Sequence, residues 1–409
     1  MSACQDKKNR VIGVVLLALL ILLGIGRAKL GETPAEEPEI LVPMFEVDPF
    51  WPKPLPHQWL IGSAIGLTVD SRDHIFIIHR PGSLNPMESG AAAVPPAADC
   101  CIPAPHILEF DPAGNLVGHF GGPGEGYDWP ESNHGITADP KDDLWIGAMG
   151  SDDSHILVFS REGKFLHQVG SPRARRSEDY REDNPKWVRN SHDRESFGRV
   201  AEISFSVDTN EAFVADGYLN TRVAVLDSTT GEFKRYWGAY GNEPDDKDLG
   251  LYNPDAPLPS QFRAPVHCAE PSLDGLVYVC DRSNNRIQVF EMDGTFVKEK
   301  RIAQNTLAAG SVWDVAFSKD PKQQYIFVAD GQNMKVHVLD RESLEILTSF
   351  GSGGRQPGQF FGVHNVATDS KGNLYTVETY EGKRLQNFVY KVLGSVTRQD
   401  QGSLWPSIR

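Results

Sequence analysis

Residues 264–290 read APVHCAEPSLDGLVYVCDRSNNRIQVF. An alternating apolar run leads to a turn at Asp274-Gly275. A second run ends at Asp281-Arg282, a polar turn follows at Asn284-Asn285, and a third run covers 287–290. Another turn at Asp293-Gly294 leads to a short fourth run at 295–298. Asp, Asn and Gly accept the left-handed backbone of tight turns, so these pairs between alternating runs mark hairpins. The stretch is a four-stranded antiparallel meander with His267 at the head of its first strand.

The same template recurs along the chain. The first copy opens with the hairpin LTVDSRDHIFIIHR at 67–80; a long insertion at 81–105 separates it from its third strand at 107–110. The second starts with HGITADPKDDLWIGAMG at 134–150, and a charged insertion at 173–194 precedes the third at 201–238. The stretch at 264–290 is the fourth copy; the fifth starts at Trp313 and the sixth at His364. Four strands per copy, repeating every 40–50 residues or so, is the signature of a β-propeller. The expected fold is all-β: a six-bladed propeller over 44–395, its last blade closed by an outer strand around 44–47.

Composition bounds the rest. A net charge of −15, with no basic block outside the N-terminus, argues against a nucleic-acid partner, which would need a cationic footprint. The acidity reads as solubility. Residues 1–10 carry Lys7, Lys8 and Arg10, and an apolar run with VVLLALLILL follows within 11–26. This pattern reads as a signal peptide or signal-anchor helix, with the rest of the chain outside the cytoplasm, periplasmic or secreted. A Pro- and Glu-rich linker (27–43) and a C-terminal tail (396–409) flank the propeller. Cys268 and Cys280 flank the Asp274 turn symmetrically, as a cross-strand disulfide or as two buried thiols. Cys100-Cys101 is a vicinal pair in the first insertion.

In a propeller the first strand of each blade lines the central channel. Aligned on their apolar positions, the six first strands place Ile65, His134, Ala201, His267, Trp313 and His364 at one level. Histidine occupies alternate blades, about 120° apart, so three imidazoles converge on one point. That is a three-histidine metal site with an open coordination position. At the ends of the second strands, Arg80, Tyr218 and Arg282 are candidates to surround a substrate, because a turn does not ask for arginine. Asp216 with Arg222, and Asp281 with Arg286, read as structural contacts between strands.

These motifs resemble NHL repeats. More specifically, IFIIHR, NHGITAD, VADGYLNTRV, FRAPVHCA with VCDRSNNRIQVF, and GVHNVATDSKGNLYTVET resemble the catalytic core of the peptidyl-α-hydroxyglycine α-amidating lyase family over roughly 45–391. The resemblance implies that His134, His267 and His364 bind zinc, that Tyr218 is the active-site tyrosine, and that Arg80 and Arg282 hold a substrate carboxylate. It also implies a structural calcium held by the Leu67 and Ile136 backbone oxygens and by the residue after the last histidine. Here that residue is Asn365 in place of the family's aspartate. Gly362 stands where the family has a methionine, and Leu219 stands where a family disulfide flanks the tyrosine.

The expected activity is a lyase that cleaves an α-hydroxyglycine-type carbinolamide, small or peptidic, to an amide and glyoxylate. Alternatives are a metal-dependent hydrolase or lactonase at the same site, or a non-catalytic propeller that binds a protein or peptide. These residues hold no companion hydroxylase domain, so another chain is expected to supply the hydroxylated substrate.

Overall fold

Six four-stranded antiparallel sheets follow one another along the chain in this computed structural model, which describes residues 7–8, 10–20 and 39–396. Blade 1 runs from its inner strand Ser63–Val69 to its outer strand Leu116–Phe120. Blade 2 runs from Asn133–Ala138 to Phe165–Gly170, and blade 3 from Val200–Ser206 to Phe233–Trp237. Blade 4 runs from Val266–Pro271 to Phe296–Arg301, and blade 5 from Asp314–Phe317 to Ile346–Phe350. Blade 6 takes Val363–Thr368, Leu374–Glu378 and Arg384–Ser395 from the end of the chain, and Leu41–Asp48 adds its outermost strand. Each inner strand touches the next, and that of blade 6 touches that of blade 1, so the ring closes.

The middle strands of each blade are buried on both faces, which explains why AFVAD, LVYVC and YIFVAD read as almost continuous apolar runs. The apolar clusters lie between blades rather than within them. Phe213, Val225 and Trp237 of blade 3 meet Val266, Val277 and Phe290 of blade 4. Trp51, Ile75 and Phe110 of the chain around blade 1 meet Tyr375 and Val377 of blade 6. A single blade would leave both faces wet; the ring covers them all.

A buried ion pair repeats at the ends of the second and third strands. Arg222 Nε donates to Asp216 at 2.8 Å and Arg286 Nε to Asp281 at 2.7 Å. Blade 5 substitutes His337 with Asp330, and blade 6 Arg384 with Glu378. Cys268 and Cys280 form a disulfide across the first two strands of blade 4, with Cα atoms 4.8 Å apart; of the two readings of this pair, the bonded one holds. Cys100 and Cys101 are also disulfide-bonded.

The first insertion contains two short 3-10 turns, Pro81–Ser83 and Gly90–Ala92, and a strand, Ile102–Pro103, paired in parallel with Trp59–Leu60. His79 anchors it. Its Nδ1 accepts from the Gly62 N–H at 3.0 Å and its Nε2 donates to the Pro105 carbonyl at 2.8 Å.

The N-terminal segment, taken by itself, is helical at 10–20 and exposed. Among the described residues no helix is long and apolar enough to cross a membrane. The apolar run expected to extend to 26 lies outside the described residues beyond 20, as do residues 27–38 of the linker and the tail from 397.

Candidate metal centre

An interruption in the inner strands places the site. In blade 1 the ladder shifts between Ala64 and Gly66, in blade 3 between Val200 and Glu202, and in blade 6 between Val363 and Asn365. In blades 2 and 4 it shifts between Asn133 and Ile136 and between Val266 and Ala269. In blade 5 both Trp313 and Asp314 face Ala329. A β-bulge adds a residue to one strand and re-aims its side chain. The bulged positions are Ile65, His134, Ala201, His267 and His364, with Trp313 in the matching place. In blades 2, 4 and 6 the bulge falls on a histidine, and the three imidazoles meet one another.

His134, His267 and His364 are buried, and one ligand atom from each lies within 4.8 Å of the others. Their ring centroids form a near-equilateral triangle with sides of 5.2, 4.9 and 4.9 Å. Each Nδ1 has an oxygen acceptor. His134 donates to the Ala201 carbonyl at 2.7 Å, His267 to the Trp313 carbonyl, and His364 to Asn365 Oδ1 at 2.5 Å. A proton fixed on Nδ1 leaves the Nε2 lone pair free, which is how proteins prepare imidazoles for metal. Burial drives all three imidazoles toward the neutral form, His364 down to about 3; the Arg282 guanidinium adds to the effect on all three and Arg80 on His134 and His364. Three neutral nitrogens at this spacing fit a borderline ion such as zinc, with a coordination position left open.

Tyr218, just beyond the second strand of blade 3, points its hydroxyl at this triangle. The oxygen lies 2.9 Å from His134 Nε2 and 3.0 Å from His267 Nε2. Arg282 donates to it at 3.1 Å. Burial pushes the phenol up, and Arg282 and then Arg80 pull it back down. The Arg282 guanidinium lies 4.8 Å from the Trp313 ring, and its Nε is buried without a protein partner. Arg80 is held by the blade that carries His134: its Nε and Nη2 both donate to the Asn133 carbonyl at 3.0 Å. Among the described residues neither arginine makes an ion pair, so two cations face the site without a matching anion.

Some features were not visible as motifs. Trp313 lies between Arg282 and His364, meeting the histidine ring edge to face at 5.5 Å. Tyr380 packs 6.2 Å from Trp313 at the rim, close enough for Arg80 and Tyr218 to feel its hydroxyl. Gly362 has φ +69°, a conformation that disfavours any side chain, and the Met334 sulfur accepts its N–H. Leu67 and Ile136 lie in the inner strands of blades 1 and 2, and Asn365 in that of blade 6. Asn365 Oδ1 is engaged by His364, and its Nδ2 donates to Glu202 at 3.2 Å.

Comparison with known proteins agrees with this architecture. The NHL-repeat family model matches residues 273–290, within the fourth blade. The chain is 24% identical over 305 residues to peptidyl-alpha-hydroxyglycine alpha-amidating lyase 1 of Drosophila melanogaster, covering 70% of this chain and 49% of that protein. It is 25% identical over 326 residues to peptidylglycine alpha-amidating monooxygenase of Rattus norvegicus, covering 77% of this chain and 29% of that protein. The chain thus spans half or less of the length of these relatives. A solved streptogramin B lyase structure superposes with a TM-score of 0.50 at 12% identity, covering 85% of this chain and 98% of that one, a likeness of fold alone. The chain is a six-bladed β-propeller with an NHL repeat, distantly similar to the amidating enzymes, and it brings together three histidines that could hold a metal.

Proposed function

We propose that this protein is a zinc-dependent lyase that breaks the C–N bond of an α-hydroxyglycine-type carbinolamide, leaving an amide and glyoxylate. One observation carries the reading. Three histidines converge with their ligand atoms together, two of them with Nε2 at the Tyr218 hydroxyl, and two arginines without anionic partners face the same site. An ion on the three histidines would supply Lewis acidity at a substrate hydroxyl and positive charge beside Tyr218.

The chain's own groups have distinct parts. Arg282 and Arg80 receive the substrate carboxylate, to which a planar guanidinium offers paired donors. Trp313 holds the Arg282 plane in place. Tyr218, as the phenolate, takes the proton of the substrate hydroxyl at its oxygen. The carbinol C–O bond becomes a carbonyl as the C–N electron pair leaves with the amide nitrogen, which takes the proton back from the Tyr218 hydroxyl. The basic N-terminal flank and the apolar run support an extracytoplasmic setting for this reaction, with membrane attachment if that segment is retained.

The test is glyoxylate release by the full chain from an N-acyl-α-hydroxyglycine. Wild type is expected to release glyoxylate and amide in equal amounts. His267→Ala should abolish release, and Tyr218→Phe should lower it about 10²–10⁴-fold, as for loss of a proton-transfer group. A zinc-loaded wild type that releases no glyoxylate removes the lyase assignment.

A further inference from the structure

The turns after the second strands carry Arg80, Tyr218 and Arg282, and a fourth side chain completes their pattern. Blades 1 and 4 lie half a turn apart in the ring. They present Arg80 and Arg282 one residue past the strand-end positions that face Ala64 and Val266. Blades 3 and 6 are also opposite. They present Tyr218 and Tyr380 two residues past the positions that face Val200 and Val363. Tyr218 reaches the histidines; Tyr380, its counterpart in the repeat, is 57% exposed. The Tyr380 backbone is left-handed, φ +49°, which costs free energy for any residue with a side chain. The turn is pinned around it. The Ser63 hydroxyl donates to the Tyr380 carbonyl, the Thr379 N–H to the Gly362 carbonyl and the Gly382 N–H to the Thr379 carbonyl, each at 2.9 Å. Strain held this firmly around a ring left open to solvent points to a contact outside the fold. The ring stands beside the site. It meets Trp313 edge to face at 6.2 Å, and Trp313 lies 4.8 Å from the Arg282 guanidinium and 5.5 Å from the His364 ring. Gly362, two residues before His364, leaves the ring its space: a Cβ there would lie 3.3 Å from Tyr380 Cδ2.

We propose that Tyr380 sets specificity: its ring, backed by Trp313, is the wall against which the acyl group of the substrate packs, so that aromatic acyl groups are preferred to small ones. The inference rests on the reading of the site as one for an N-acyl-α-hydroxyglycine. The carbinol carbon of such a substrate carries four substituents. The carboxylate is drawn to the opposed pair Arg80 and Arg282. The hydroxyl goes to the histidines beside Tyr218, and the hydrogen needs no partner. The acyl-amide arm remains, and across the ring from Tyr218 stands Tyr380. In blades 2 and 5 the matching turn positions are Met149-Gly150 and Gly331-Gln332, which offer no aromatic ring. A tyrosine ring takes an aromatic acyl group in offset or edge-to-face contact and gains little from an acetyl group. Tyr380 thus acts in binding, and no proton or electron pair passes through its hydroxyl.

The test uses the full chain and two acyl groups. Glyoxylate release is measured from N-benzoyl- and N-acetyl-α-hydroxyglycine. Calorimetry measures the affinities for N-benzoylglycine and N-acetylglycine, which lack the hydroxyl and are not turned over. Wild type should favour benzoyl in kcat/KM and in affinity. Tyr380→Ala should lose about two- to tenfold of that preference, chiefly through KM, whereas Tyr380→Phe keeps the ring and should keep the preference. A damaged fold would weaken both acyl groups alike, so the ratio separates a contact from a structural role. Wild type that releases no glyoxylate but shows the Tyr380-dependent preference in calorimetry keeps the wall and removes the lyase reading. A Tyr380→Ala chain with the wild-type ratio, a Tyr380→Phe chain that loses the preference as alanine does, or wild type with no preference in either measurement overturns the proposal.

Discussion

Replacing Asn365 with leucine should loosen the metal centre without touching a metal ligand. His134 and His267 give their Nδ1 protons to the backbone carbonyls of Ala201 and Trp313, which no side-chain substitution removes. His364 gives its proton to a side chain, Asn365 Oδ1 at 2.5 Å. Losing such an outer partner typically lowers metal affinity by about 10–100-fold, equivalent to about 1.4–2.8 kcal/mol. The Ile65 carbonyl also faces His364 and can take over part of the contact, so the lower end, about tenfold, is expected. Asn365→Asp keeps an acceptor oxygen and should retain the affinity. Competition between the full chain and a chromogenic chelator for Zn2+ measures both, and the Co2+ spectrum reports whether the coordination stays tetrahedral. An Asn365→Leu chain that binds Zn2+ as tightly as wild type refutes the reasoning. So does an Asn365→Asp chain as weak as the leucine variant, because the acceptor would then not be what orients His364.

Three further outcomes follow from buried groups. Burial holds His79 down to about 3, while in the unfolded chain it titrates near about 6.5. The unfolded state therefore binds the extra proton below that pH. The His79 contribution is intact above about 6.5, falls by about 2 kcal/mol from pH 7 to 5, and stops falling near the folded value; urea unfolding of His79→Gln should lack this share of the pH dependence. Arg286→Met leaves Asp281 buried with only the Asn284 amide and the Arg263 N–H. Denaturant unfolding should show a loss of about 3–5 kcal/mol, partly recovered by adding Asp281→Asn. Replacing Cys268 and Cys280 by alanine opens a short cross-link with a sequence separation of 12; the chain-entropy argument gives a loss of about 3 kcal/mol, measured in the same way.

The sequence displays the propeller because each blade repeats a pattern set by local chemistry: turn pairs at fixed offsets and apolar runs between them. The metal histidines are legible for a related reason, since His134, His267 and His364 break that pattern at one level in alternate copies. The bulge that aims them inward has no sequence mark of its own; it shows only as a shift in strand register. Glu202, Glu270 and Asp314, whose carboxylates lie within 4.8 Å of one another, are hidden differently. Glu202 and Asp314 each follow the residue at the histidine level of their repeat while Glu270 lies two residues further on, and each alone looks like part of an acidic, soluble surface. Only ring closure brings them together. The Cys268–Cys280 bond was undecidable because paired thiols and a disulfide have the same spacing along a hairpin. Trp313 meets Arg282 and Tyr380 through segments from different blades, which no local motif encodes.

Metal analysis of the purified full chain tests the central claim most directly. With Ca2+ removed, wild type should carry one transition-metal ion per chain, zinc by the present account, and the variant with His134→Ala and His267→Ala should carry none while keeping the wild-type circular dichroism. A wild-type chain that binds no stoichiometric zinc, or an equal metal content in the two proteins, would contradict the three-histidine centre and the lyase chemistry built on it.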